Sequence, residues 1–129
     1  MENEGRILYA DDEPCMRRLI ELVLRSDFPT YKLEIFSNGS ELEKRLKQGS
    51  DGISLVLTDN NMPGIKGSDI IRKYSKTDPF KEVPFIIFTA EEDVGERSTE
   101  EGAFAYLPKP FPLAGLNSVI RRALSHYEN

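Results

Sequence analysis

Residues 53–64 read Ile53-Ser54-Leu55-Val56-Leu57-Thr58-Asp59-Asn60-Asn61-Met62-Pro63-Gly64. The run from Ile53 to Leu57 is β-prone and nearly continuous in its apolar character, as expected of a strand covered on both faces. It gives way to Asp59-Asn60-Asn61. A strand buried on both faces belongs to a parallel sheet flanked by helices, and such sheets bind ligands at the carboxyl ends of their strands. Asp59 therefore stands where function is to be sought.

Working outward, four more apolar, β-prone runs appear: Ile7 to Ala10, Tyr31 to Phe36, Phe85 to Phe88, and Ala103 to Leu107. Segments with helical spacing separate them. Met16, Leu19, Ile20 and Val23 share one face of the first, which Pro14 can open at its first turn. Leu42 and Leu46 anchor the second, and Ile70, Ile71 and Tyr74 the third. Leu113, Leu116, Ile120, Ala123 and Leu124 make the last the most clearly amphipathic. Alternating strand and helix predicts right-handed crossovers and an α/β, doubly wound, five-stranded parallel sheet. The chain length fits the small flavodoxin-like order 2-1-3-4-5, whose winding reverses between the first and third strands.

Asp11-Asp12-Glu13 follows the first strand, so Asp11, Asp12 and Asp59 are expected in one small pocket. Their repulsion raises carboxyl pKa values and destabilises the fold unless a cation sits among them. Hard oxygen donors without His or Cys nearby suit Mg²⁺, with Mn²⁺ as a second candidate. Helix capping by Asp12 or Glu13 would account for one acid but not for the convergence. Thr89 ends the fourth strand and Lys109 the fifth, which brings a hydroxyl and an ammonium to the same rim.

The rest of the sequence sets bounds. At 129 residues, with a net charge of −5, the chain reads as a single domain over 1–129 with a core of about 6–126. A lone cysteine, Cys15, permits no internal disulfide, and no stretch suits a signal peptide or a membrane span. The expectation is a cytoplasmic protein without membrane insertion. Its acidity argues against direct nucleic-acid binding, which needs clustered Lys and Arg. Cys15 reads as a small packing residue.

Tyr9-Ala10-Asp11-Asp12-Glu13-Pro14, Leu57 to Gly64, Phe88-Thr89-Ala90 and Tyr106-Leu107-Pro108-Lys109-Pro110-Phe111 together resemble the successive signatures of response-regulator receiver domains. The similarity runs from Arg6 to His126. On this resemblance the architecture is expected to be closest to the single-domain chemotaxis-type regulators, with nothing expected after the last helix.

This resemblance implies a phosphoacceptor in a two-component phosphorelay, a signalling switch rather than an enzyme with turnover on a separate substrate. Asp59 would take a phosphoryl group from a sensor histidine kinase or histidine phosphotransfer protein. Mg²⁺ would be held by Asp12, Asp59 and the backbone carbonyl of Asn61, with Asp11 acting through water. Lys109, after a candidate cis Lys109-Pro110 bond, would neutralise phosphoryl oxygens, and Thr89 would donate its hydroxyl to them. Tyr106, three residues before the lysine, would fill the space that Thr89 vacates and pass the change to a downstream protein target. Asn61 and Glu91 would flank the hydrolytic water and tune dephosphorylation.

Three rival readings compete with this one. A haloacid-dehalogenase-type phosphohydrolase needs a second acid two residues after the nucleophile, where this chain has Asn61. A flavin-binding protein would not place Asp11-Asp12-Glu13 in its phosphate loop. A phosphate sink or phosphorylation-independent scaffold on the receiver fold stays open. The chain also departs from the family between Thr89 and Gly102, which is shorter than the pattern. Val94 is the single strong apolar residue from Glu91 to Glu101, with Gly95 beside it. The fourth helix is therefore expected to be short, loosely packed or partly unwound.

Overall fold

The computed structural model describes residues 5–126. The strands are β1 (Arg6–Ala10), β2 (Lys32–Phe36), β3 (Ile53–Asp59), β4 (Phe85–Thr89) and β5 (Ala105–Pro108). The helices are α1 (Pro14–Asp27), α2 (Gly39–Leu46), α3 (Gly67–Tyr74), α4 (Glu92–Glu100) and α5 (Leu113–His126). The sheet is parallel throughout, in the order β2-β1-β3-β4-β5. The expected fold is the observed one. No helix among the described residues is long and apolar enough to cross a membrane.

Strand alternation sorts the core into two halves. Ile7, Tyr9, Leu55, Leu57, Ile86 and Phe88 face α1 and α5, meeting Ile20, Leu24, Leu116 and Ile120. Leu8, Ala10, Val56, Phe85 and Ile87 face the other way, onto Leu42, Leu46, Ile70 and Ile71. Each fully buried aliphatic side chain contributes about 1.5–3 kcal/mol, which fixes the register of every central strand.

β3 runs two residues beyond the apolar stretch, because Thr58 and Asp59 continue its pairing with Ile87 and Phe88. β5 begins later than the apolar run suggests. Ala103 donates its N–H to the Ser98 carbonyl, and Gly102 N–H goes to Thr99. Gly102 has a φ of 124°, so these two bonds form the reversed turn that ends α4. The backbone of Ala103 thus serves the helix before the strand starts. Cys15 is exposed, not packed. The Lys109-Pro110 peptide is cis, as is Asp78-Pro79.

α4 is short, at 9 residues, but continuous and no shorter than α2 or α3, at 8 each. Its inner face is Val94, Gly95 and Ser98, all buried. A count of large apolar residues misses the last two. A Cβ on Gly95 would lie 2.3–2.6 Å from three ring carbons of Tyr106, so the glycine is the space in which that ring sits. Ser98 Oγ is buried with no hydrogen-bond partner among the described residues. The helix is regular and seated closely on β4 and β5, so it is neither unwound nor loosely packed, although its inner face carries two local costs. Glycine costs about 1 kcal/mol against alanine in a helix interior. A buried polar atom without a partner costs about 1–3 kcal/mol.

Two substitutions on this face should therefore act in opposite directions in urea unfolding. Ser98→Ala should stabilise the protein. Gly95→Ala should destabilise it by about 1–3 kcal/mol through overpacking, despite the better helix propensity. In a Tyr106→Ala background Gly95→Ala should instead stabilise. Destabilisation of equal size in both backgrounds would show that Tyr106 is not what excludes the side chain.

Candidate functional site

Ala10 pairs with Thr58, so Asp11 and Asp59 are the next residues on adjacent parallel strands. Tyr9 and Leu57 point into the same half of the core, and by alternation Asp11 and Asp59 share that side. Neighbouring strands are about 4.8 Å apart, so register alone forces the two acids together. Both are buried, Asp11 at 0% and Asp59 at 5% exposure. Exposed Asp12 completes the group, with one carboxylate oxygen from each residue within 4.8 Å of the others.

One cation among the described residues answers these charges directly. Lys109 Nζ donates to Asp59 Oδ1 at 2.7 Å, reaching in from the loop after β5. Three carboxylates against one ammonium leave the pocket negative. Burial pushes the Asp59 carboxyl above its ordinary range; the Lys109 hydrogen bond pulls it down, and the charge of Asp11 raises it again. Desolvation and like charge prevail over the lysine.

The loops are tied down around this charge. Asp11 Oδ2 accepts the Tyr9 hydroxyl at 2.8 Å, and Oδ1 accepts the Glu13 N–H at 3.0 Å. Burial, and then the charge of Asp11, push the Tyr9 phenol far above its usual range, so it stays a donor. Arg17 donates to the Asp11 carbonyl at 2.8 Å from α1. Neither Asp12 nor Glu13 caps that helix through its side chain. Asn60 is buried, accepts the Ser68 N–H at 2.9 Å and receives the Gly67 N–H at its carbonyl. Gly67 packs so closely that a Cβ there would lie 2.4 Å from the Asp59 carbonyl oxygen.

Thr89 Oγ1 accepts the Glu91 N–H at 3.0 Å, which leaves its own proton available to donate. Tyr106 pairs with Ile87 and packs with it, so by alternation Tyr106 and Thr89 lie on one face of the sheet. Asn61 and Glu91 are exposed, the latter at the first position of the turn into α4. Of the expected residues, Asp11, Asp12, Asp59 and Lys109 converge, and Thr89 stands at the next strand end.

Sequence reasoning missed Tyr9, Arg17, Asn60 and Gly67. Tyr9 had a usable signal. It lies two residues before Asp11 on one strand, so the two side chains share a face. A buried phenol also seeks a polar partner.

An all-oxygen acid cluster of this kind fits a hard divalent cation better than a soft one.

Comparison with known proteins identifies the family. The model of the response regulator receiver domain matches residues 7–121. An uncharacterised transcriptional regulatory protein, YkoG of Bacillus subtilis, is 35% identical over 123 residues, 94% of this chain and 51% of its own length. The DNA-binding transcriptional regulator NtrC of Escherichia coli K12 is 31% identical over 96% of this chain and 26% of its own. The chain thus spans about half the length of the first relative and a quarter of the second. A receiver domain structure from Clostridium thermocellum superposes with a TM-score of 0.82 at 29% identity, covering 95% of both chains. A CheY-like receiver from Methanospirillum hungatei gives 0.81 at 25% identity over 97% of each. With its fold, strand order and most of its length accounted for, this chain belongs to the response regulator receiver domain family.

Proposed function

We propose that this chain is the phosphoacceptor switch of a two-component phosphorelay, with Asp59 as the residue that is phosphorylated. The observation that carries the reading is a buried aspartate held by Lys109 and crowded by Asp11 and Asp12 at the winding reversal of the sheet.

The donor is a phosphohistidine on a sensor histidine kinase or a histidine phosphotransfer protein. A carboxylate oxygen of Asp59 attacks phosphorus, the P–N bond breaks, and its electron pair goes to the imidazole nitrogen. Lys109 engages Oδ1, so Oδ2 is the oxygen left to attack. Asp11, Asp12, Asp59 and the carbonyl of Asn61 would hold Mg²⁺, or Mn²⁺ in its place. When bound, the ion supplies positive charge against the carboxylates and the incoming phosphoryl oxygens. Lys109 transfers its hydrogen bond to a phosphoryl oxygen, and Thr89 donates its free hydroxyl proton to another.

Movement of Thr89 changes the space beneath Tyr106, on the same face. The surface around α4, β5 and α5 then presents a new shape to a protein target. Asn61 and Glu91, both exposed and two residues beyond Asp59 and Thr89 respectively, tune hydrolysis of the acyl phosphate. The direct partners proposed for these residues are proteins rather than nucleic acid, in keeping with a net charge of −5. The relatives named as DNA-binding regulators are far longer than this chain. The chain acts as a signalling switch whose only chemistry is on its own Asp59, and a cytoplasmic site fits that role.

Incubation with acetyl phosphate and Mg²⁺ should add one phosphoryl group by intact mass, and Asp59→Asn should gain none. A folded wild type that stays unphosphorylated would instead support the scaffold reading.

Stability should report the same pocket. A carboxyl whose native pKa is raised holds its proton more tightly when folded. The Asp59 contribution is therefore most favourable below the ordinary aspartate range, and is lost as pH climbs through the raised value. Mg²⁺ at 100 times its Kd should restore about 2.7 kcal/mol at neutral pH. Asp12→Asn should raise metal-free stability and shrink the Mg²⁺ increment. A melting curve that Mg²⁺ leaves unmoved would show that the acids hold no metal.

A further inference from the structure

Tyr9 sits in the middle of an apolar strand and is 0% exposed. Its ring packs against Phe88 at 6.1 Å between centroids, among Ile7, Leu55 and Leu57. Nothing in that environment calls for a hydroxyl; a phenylalanine would fill the same volume. Among the described residues the hydroxyl has one hydrogen-bond partner, Asp11 Oδ2 at 2.8 Å.

That contact does more than satisfy the phenol. Asp11 Oδ1 is already taken by the Glu13 N–H at 3.0 Å. With both oxygens engaged on the protein side, the carboxylate can no longer turn about its own bond. Its remaining lone pairs are fixed in direction. Arg17 holds the backbone of the same residue through its carbonyl at 2.8 Å. Asp11 is thus clamped at the backbone and at both side-chain oxygens. Asp12, by contrast, is exposed, and no hydrogen bond holds its carboxylate among the described residues.

We propose that Tyr9 is a positioning residue for the divalent-cation site, acting through Asp11, whose carboxylate it orients from inside the hydrophobic core. This rests on the reading of Asp11, Asp12 and Asp59 as a metal site. The hydroxyl stands to Asp11 as the outer partners of metal ligands generally do: it fixes the orientation of the ligand, so binding does not have to select it. Removing such a partner typically lowers metal affinity by about 10–100-fold. Tyr9 touches neither the cation nor the phosphoryl group, so the chemistry at Asp59 should survive its loss once the metal site is filled.

The test is calorimetric titration of the full chain with Mg²⁺ at pH 7 and fixed ionic strength, for wild type and Tyr9→Phe. The variant should bind about tenfold more weakly. In phosphorylation by acetyl phosphate, the Mg²⁺ concentration for half-maximal rate should rise by a similar factor, with the rate at saturating Mg²⁺ close to wild type. A merely structural role would not separate these two quantities. Equal Mg²⁺ affinity in both proteins overturns the proposal while leaving the metal reading intact. A wild type that binds no Mg²⁺ overturns both. Should Tyr9→Phe fail to fold, the assigned ¹³Cζ resonance of Tyr9 in the wild type decides. A shift that tracks Mg²⁺ occupancy supports the role, and a resonance indifferent to Mg²⁺ refutes it.

Discussion

Two aspartates on adjacent parallel strands, both out of water and both on one side of the sheet, are the constraint around which this molecule is arranged. Like charges at strand spacing oppose the register that places them. That register is nevertheless enforced by Tyr9 opposite Leu57 and Leu8 opposite Val56 in the two halves of the core. Hydrophobic burial therefore holds together what electrostatics would separate. The molecule offsets the conflict locally. Lys109 crosses from the loop after β5 to reach Asp59, and Tyr9 and Glu13 donate to Asp11. Asn60 and Gly67 then draw the start of α3 against the end of β3. The deficit that remains is what a divalent cation would fill.

The same tension explains how a small change at Asp59 could be felt at a distance. Thr89 ends β4 and Tyr106 lies across from Ile87 on the same face, over Gly95 of α4. Thr89 Oγ1 also accepts the first backbone N–H of the turn into that helix. Under the proposed switch, a shift of the threonine would act on α4 twice, through its N-terminal turn and through the ring on the same face. The inner face of α4 carries a glycine and, among the described residues, a serine hydroxyl without a hydrogen-bond partner, two local costs in an otherwise closely seated helix.

Much of this was legible in the sequence. Runs such as Leu55 to Leu57 and Phe85 to Phe88 are apolar on both faces, a pattern that only a covered central strand explains. Once the strand order followed, Asp11, Asp12, Asp59, Thr89 and Lys109 had to gather at one edge. The inner face of α4 was not legible in the same way. Large apolar residues can be counted, but Gly95 is core-facing because it lacks a side chain, and that depends on where Tyr106 lies. Tyr9 read as core, which it is; its second role appears only when its hydroxyl is placed beside Asp11. Asn60 likewise passed as one polar residue among several, because its bond to Ser68 needs the loop's path to be known.

The central claim is that Asp59 lies in a pocket short of positive charge, which a divalent cation completes. The titration of its carboxyl carbon, followed by ¹³C NMR with and without saturating Mg²⁺, tests this most directly. In metal-free protein the midpoint should lie above that of an ordinary aspartate, because burial and Asp11 outweigh Lys109. Adding Mg²⁺ should drive it well below that of an ordinary aspartate. A midpoint that is the same with and without Mg²⁺ would contradict the account, since no ion bound at this carboxylate could leave its proton affinity unchanged.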